Sequence, residues 1–307
     1  MLRWLVKLAT TVAIIGFAVF WWLTIPQTFD DTVSITYAGD AAKGEAVFWA
    51  SGCASCHAKK GAKDEEKLRL GGDHPLVTPV GTFYAPNISP HPEFGIGSWS
   101  LNDFANAVLL GTSPDGRHYY PAFPYTSYST MTRQDLADLF EFIKTLEPVA
   151  TPNKPHDLPF PFNISRGTGL WKLAFPHQRP NVDTGGDAEL ERGRYLVEVL
   201  GHCGECHTPR TNSGLGGMDT SRWLSGGPAP EGDGKIPNIT PHEDGLASWS
   251  QSDIAYYLES GFTPDFDSVG GSMVSVQANM AKLPKSDLNA MAKYLKAIPP
   301  VASQKTP

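Results

Sequence analysis

Cysteine and histidine at fixed spacing are the residues of this sequence best equipped for chemistry. All four cysteines fall in two segments of one form, Cys53-Ala54-Ser55-Cys56-His57 and Cys203-Gly204-Glu205-Cys206-His207. Two thiols separated by two residues and followed at once by an imidazole make the attachment pattern for c-type haem. The thiols form thioethers to the porphyrin vinyl groups, and the adjoining histidine reaches the iron from the proximal face. Structural zinc would instead need two close ligand pairs converging on one tetrahedral ion, and a redox dithiol or disulfide framework gives the histidine no role. The pattern, present twice with no cysteine left over, implies two covalently bound haem c groups. Cys53, Cys56, Cys203 and Cys206 would hold them, with His57 and His207 on the irons.

Iron that only exchanges electrons needs a sixth ligand, and methionine sulfur opposite histidine raises the potential. In the second half the choice lies between Met273 and Met280, since Met291 falls on the apolar stripe of a helix. Met273 is preferred: it follows Gly270-Gly271-Ser272, where glycine allows close backbone approach, while Met280, before Ala281-Lys282-Leu283, reads as packing. In the first half His118 and Met131 stand level. Met131 immediately precedes the box Thr132-Arg133-Gln134-Asp135, a usual place for a hydrophobic staple. His118, in Gly116-Arg117-His118-Tyr119-Tyr120-Pro121, lies about as far before the closing helix as Met273 does in the second half, and imidazole binds iron equally well.

The elements that must position these residues come in two copies. An offset of 150 carries Cys53 to Cys203, Trp99-Ser100 to Trp249-Ser250, Asp103 to Asp253, Gly111 to Gly261 and Pro114-Asp115 to Pro264-Asp265. Pro86-Asn87-Ile88 returns as Pro237-Asn238-Ile239, shifted by one. Each copy opens with a segment near Gly44 or Gly193 that leads into the attachment site. Ser100 to Asp103 and Ser250 to Asp253 have capping-box spacing, so a middle helix should start at each and end at Gly111 or Gly261. Leu136, Leu139, Phe140 and Ile143, and in the other copy Leu288, Met291, Ala292 and Leu295, form the core stripes of closing helices.

Between the copies, Pro148, Pro152, Pro155, Pro159, Pro161, Pro176 and Pro180 exclude a continuous helix. Phe160, Phe162, Leu170, Trp171, Leu173 and Phe175 make this stretch too apolar for a solvated linker, so it should be an ordered strap packed on a domain. At the start, Arg3 and Lys7 precede an uncharged run from Leu8 to Ile25 that, with its flanks, is long enough to cross a bilayer, with Trp21 and Trp22 at the far interface. A cleaved signal peptide is the rival; the run is longer than a usual signal core and no small-x-small site follows at once, which favours a retained anchor. Basic residues on the cytoplasmic side put everything after Pro26 outside, where haem c is attached in bacteria. A net charge of −7 and pI near 5.7 argue against a nucleic-acid surface.

Taken in order, the Cys-x-x-Cys-His site, Pro86-Asn87-Ile88-Ser89-Pro90, Gly97-Ser98-Trp99-Ser100, Tyr120-Pro121-Ala122-Phe123-Pro124-Tyr125 and Leu158-Pro159-Phe160-Pro161-Phe162-Asn163, followed by second haem, Asn-Ile-Thr-Pro and Trp-Ser motifs, resemble the cytochrome c subunits of membrane-bound alcohol and gluconate dehydrogenases. The resemblance runs from about Gly39 to Pro300. It implies a mainly α fold, two tandem class I cytochrome c domains on an N-terminal transmembrane helix, with an anchor over 1–27, domains over 38–149 and 186–301, and the Pro-rich linker over 150–185. It further implies a single-pass protein of the inner membrane with periplasmic haem domains, passing electrons from a dehydrogenase subunit to quinone, an oxidase or another cytochrome. Asn87, Trp99, Asn238 and Trp249 would stand beside the haems, their N–H groups near the propionates. Two departures are visible: that family commonly carries three haems, and the methionine of its Pro-Ala-Met-Pro-Tyr motif, an axial ligand, is Phe123 here. The alternatives are a diheme peroxidase or thiosulfate-oxidising enzyme, which needs an open sixth site, and a cytochrome subunit of a terminal oxidase. No nucleophile–base arrangement or phosphate-binding loop argues for protein-based catalysis.

Overall fold

The computed structural model describes residues 1–29, 37–175, 182–211, 215–229 and 234–303. Two strap prolines, Pro176 and Pro180, lie outside the described residues. The chain is mainly helical. Helix α1 (Leu2–Leu23) stands apart with no buried residue, and Thr24 at its end is fully buried against the rest of the protein.

The first copy comprises α2 (Ala41–Ala50), α3 (Cys53–His57), a hairpin of β1 (Pro75–Thr78) and β2 (Gly81–Tyr84), α4 (Leu101–Leu110), a single turn α5 (Tyr125–Tyr128) and α6 (Arg133–Lys144). The strap carries α7 (Thr168–Ala174). The second copy runs through α8 (Ala188–Tyr195), α9 (Gly204–His207), the short pair β3 (Gly227–Pro228) and β4 (Lys235–Ile236), α10 (Gln251–Ser260), α11 (Met273–Met280) and α12 (Lys285–Ala297).

Local chemistry explains the boundaries. Asp103 N donates to Ser100 Oγ at 3.1 Å while the Asp103 carboxylate accepts from Ser100 N at 2.9 Å, and Ser250 and Asp253 repeat this at 3.1 and 2.8 Å. α4 and α10 both stop at a left-handed glycine, Gly111 with φ 59° and Gly261 with φ 81°. The predicted stripes of α6 and α12 are buried throughout.

In each copy the first helix crosses the closing helix at a glycine. A Cβ on Gly44 would collide with the carbonyl oxygen of Asp138, and one on Gly193 with that of Ala290. Side-chain bonds hold the crossings: Asp40 N donates to Asp138 Oδ1 at 2.7 Å, and Arg192 grips Asp287 through two bonds of 3.0 and 2.7 Å. The copies then diverge. Phe48 packs on Phe142 with centroids 5.2 Å apart, whereas the equivalent Glu198 hydrogen-bonds the Tyr294 hydroxyl from a turn of π-helix over Leu196–Leu200.

The strap up to Phe175 is tied to both copies at several points. Asp157 pairs with Thr82 of β2 through two backbone bonds of 2.9 Å, Lys172 Nζ donates to the carbonyls of Leu110 and Gly111 at 2.6 and 2.9 Å, and Trp171 Nε1 donates to Leu215 O of the second copy at 2.8 Å. Lys172 thus caps the end of α4, where Gly111 O also accepts from Tyr119 N at 2.8 Å.

Because the α8–α12 crossing leaves no space for a methyl group, Gly193→Ala should force the helices apart and cost about 1–3 kcal/mol, the usual range for overpacking. Thermal unfolding of the haem-loaded protein checks this, with Gly16→Ala in α1, which meets nothing within 4 Å, as the unshifted control.

Candidate haem-binding site

The attachment helices are set by sharp turns. Gly52 precedes α3 with φ 65°, and the equivalent His202 precedes Cys203 with φ 37°, an unusual backbone for a residue with a side chain. Each attachment histidine is oriented from behind: His57 Nδ1 lies 2.8 Å from Pro86 O, and His207 Nδ1 lies 2.8 Å from Pro237 O. A carbonyl can only accept, so Nδ1 carries the hydrogen and Nε2 keeps its lone pair for a metal. Burial pulls the pKa of both histidines below the usual value, against the bond to the proline carbonyl, and so favours the neutral, ligating form. Burial also pushes the Cys53 and Cys203 thiols up to about 12.

The repeated Pro-Asn-Ile motif holds those proline carbonyls. Asn87 Oδ1 accepts from Ser89 N and Oγ at 2.9 and 2.7 Å, and its Nδ2 donates to Val149 O and Thr151 O at 2.7 and 3.0 Å. Asn238 accepts from Thr240 N and Oγ1, both at 2.8 Å, and donates to Val301 O at 2.7 Å and Ser303 Oγ at 3.2 Å. Both amide hydrogens of each asparagine are thus committed to the chain that leaves the closing helix. These residues position the histidine supports, and their N–H groups point to protein rather than to propionates.

One cavity of about 2560 Å³ joins the two copies, well above the ~300–1,000 Å³ of an ordinary ligand pocket and in keeping with two macrocycles. Of the sequence-predicted residues, Cys53, Cys56, His57, Asn87, Trp99, Met131, Cys206 and Asn238 line it, and Cys203, His207, Trp249, His118 and Met273 do not. Trp249 packs edge-on against Tyr257 with centroids 5.6 Å apart. His118 is buried away from the cavity, its Nε2 2.9 Å from Thr24 O at the end of α1. Met273 begins α11 and is partly buried against the core, while Met280 lines the cavity. A Cβ on Gly201 would stand 3.5 Å from the Cys203 sulfur and 3.7 Å from the Met280 methyl. Among the described residues no cluster of three or more His, Cys, Asp or Glu could hold a metal ion. The free thiols, the oriented imidazoles and the apolar cavity wall fit haem c.

Sequence reasoning did not identify what joins the two sites. Glu205, between the second pair of cysteines, accepts from Thr126 Oγ1 at 2.9 Å, Ser127 Oγ at 3.1 Å and Arg210 Nη2 at 3.2 Å. Ser55, its counterpart in the first copy, bonds Ser275 Oγ at 3.0 Å and Asn279 Nδ2 at 2.9 Å. Tyr128 stands edge-on to His202 with centroids 5.5 Å apart and donates to Ser51 O at 2.7 Å. The only signal in the sequence was the polar character of Ser55 and Glu205, with nothing to name partners about 80 or 220 residues away.

A cytochrome c family model matches residues 41–147, the first copy. A diheme c-type cytochrome of Cereibacter sphaeroides is 52% identical over 280 residues, which cover 91% of this chain and 93% of that protein. The chain belongs to the diheme c-type cytochromes. This cytochrome is also 35% identical over 277 residues to the fructose dehydrogenase cytochrome subunit of Gluconobacter japonicus, and 35% identical over 266 residues to the gluconate 2-dehydrogenase cytochrome c subunit of Pantoea cypripedii. Those alignments cover 89% and 83% of this chain but 55% and 59% of the dehydrogenase subunits, so it spans a little over half their length. Its cofactor is covalently bound haem c, and its role is electron transfer.

With every cysteine in an attachment segment, the pyridine haemochrome assay should give two haems per chain. The double variant Cys203→Ala, Cys206→Ala should give one. A value of one for the unaltered protein would contradict the assignment.

Proposed function

We propose that this cytochrome is anchored by α1 in the inner membrane, with its haem domains in the periplasm, and carries electrons from a partner dehydrogenase into the respiratory chain. The observation that carries the electron-transfer part is the meeting of the two attachment segments across one cavity, at Tyr128 and His202 and through Glu205 and Ser55. Such an arrangement suits a relay within one chain better than two independent sites. The dehydrogenase is proposed from the names of the relatives, and the acceptor is quinone, an oxidase or another cytochrome.

The anchor reading rests on α1, whose 22 residues span about 33 Å at 1.5 Å per residue, against a hydrocarbon core of about 30 Å. Arg3 and Lys7 lie at one end and Trp21 and Trp22 at the other.

Haem supplies one-electron redox chemistry, while the protein sets its burial, orientation and axial ligation. His57 and His207 present Nε2 through the support of Pro86 and Pro237. Met131 is the proposed sixth ligand of the first site: it is buried in the cavity wall with His57, whereas His118 is engaged with Thr24 outside the cavity. For the second site we propose Met273, which an offset of 150 places on Phe123, a residue of the cavity wall. Met280, buried in the core cluster, also lines the cavity. Trp99, on the cavity wall, is a further proposed haem contact.

Six-coordinate haems in an electron carrier should ignore carbon monoxide and peroxide. The oxidised protein should show the weak near-infrared sulfur-to-iron band, Met131→Leu should remove the first site's share and turn it high spin, and His118→Ala should leave it unchanged. Rapid binding of carbon monoxide by the unaltered protein would replace the electron-carrier reading with that of a diheme enzyme.

A further inference from the structure

The end of helix α1 is held by the globular part. Thr24 is fully buried, and three bonds fasten the end of α1 to the globular part: Arg166 Nε to Thr24 Oγ1 at 2.8 Å, Arg166 Nη2 to Trp21 O at 2.7 Å, and His118 Nε2 with Thr24 O at 2.9 Å. The Arg166 guanidinium also lies over the Trp21 ring, 4.1 Å from its centroid. Gly169 of α7 is pressed against this junction; a Cβ there would stand 2.7 Å from the Cβ of Thr24. The part of the strap from Arg166 to Gly169 is therefore built onto the end of the anchor.

The outer side of the same segment is apolar and exposed. Leu170 is 42% and Leu173 58% exposed. Leu173 follows Gly169 by four residues, which places it on the same face of α7 and about 6 Å along the axis. The layer between hydrocarbon and bulk water on each side of a bilayer is roughly 5–7 Å deep, half the difference between ~30 Å and ~40–45 Å. Side chains this close to the exit of a spanning helix therefore lie within the headgroup layer. An arginine stacked on a tryptophan is the pair expected at that depth, with an apolar body and a charged end that reaches water.

We propose that Leu170 and Leu173 form a lipid-contacting face of the strap, seating the haem domains directly on the membrane surface around the exit of α1. This rests on the anchor reading above. The inner side of α7 is occupied by the protein itself, through Trp171 to Leu215 and Lys172 to the end of α4, so the lipid-seated face is rigidly joined to both copies. Ile164, Ser165, Thr168 and Trp171 of the same segment line the haem cavity, which brings one wall of the cavity to the membrane side. The orientation of the cavity towards the bilayer is then fixed by the fold.

Spin labels on the full-length, haem-loaded protein test the proposal. The native cysteines are consumed in thioethers, so Leu173→Cys, or Leu170→Cys should the first fold poorly, gives a single label site; Phe266→Cys, in a second-copy loop and 90% exposed, is the aqueous control. In vesicles of phosphatidylethanolamine and phosphatidylglycerol, with the haems reduced, power saturation should give a ratio of oxygen to nickel-chelate collision several-fold higher at position 173 than at 266. Equal ratios in protein that stays with the vesicles through a high-salt wash would overturn the lipid face and leave the anchor standing. Equal ratios that change only when a dehydrogenase is added would assign the face to that protein instead. Loss of the protein from the vesicles in the wash would remove the anchor, and the lipid face with it.

Discussion

The reciprocal bracing of the two attachment segments is the contact on which the rest of the site depends. The Glu205 carboxylate takes three hydrogen bonds, two from the first copy and one from Arg210, and bonds to a charged acceptor contribute about 1.5–3 kcal/mol each. Ser55 at the matching position is held by α11 of the second copy, and Lys67 Nζ fixes Asn279 at 2.9 Å. Each attachment helix thus rests on the distal segment of the other copy. Residues of both copies line the large cavity between them.

Much of the fold was legible in the residues because its determinants are local. Capping boxes at Ser100 and Ser250, left-handed glycines at 111 and 261, and stripes on α6 and α12 are written within a few residues of where they act. The attachment residues were legible for the same reason. What the residues did not disclose was set by contacts between distant segments. His118 looked as good a ligand as Met131 on spacing alone, yet it turns towards Thr24, 94 residues earlier in the chain. Asn87 and Asn238 were expected at the haems through their N–H groups; their actual partners lie in the chain beyond the closing helix, which no local pattern identifies. The strap was expected to be ordered from its apolar residues, but which of its sides faces protein depends on α4, α1 and the second copy together.

The two copies also show how one framework tolerates different chemistry. At the first-helix and closing-helix crossing, glycine is retained in both because the backbones touch, while the neighbouring aromatic pair Phe48 and Phe142 becomes the hydrogen-bonded pair Glu198 and Tyr294. A buried carboxylate is stable only with such a partner. The π turn that carries Glu198 leads directly into the second attachment segment, where His202 takes the left-handed conformation that Gly52 supplies in the first.

The central claim is that one chain makes a single relay out of two copies. Pulse radiolysis tests it most directly: an electron delivered to the oxidised protein at one site should redistribute to the other in a first-order step whose rate does not depend on protein concentration. Redistribution that slows in proportion to dilution would mean exchange between separate molecules, and would contradict the account.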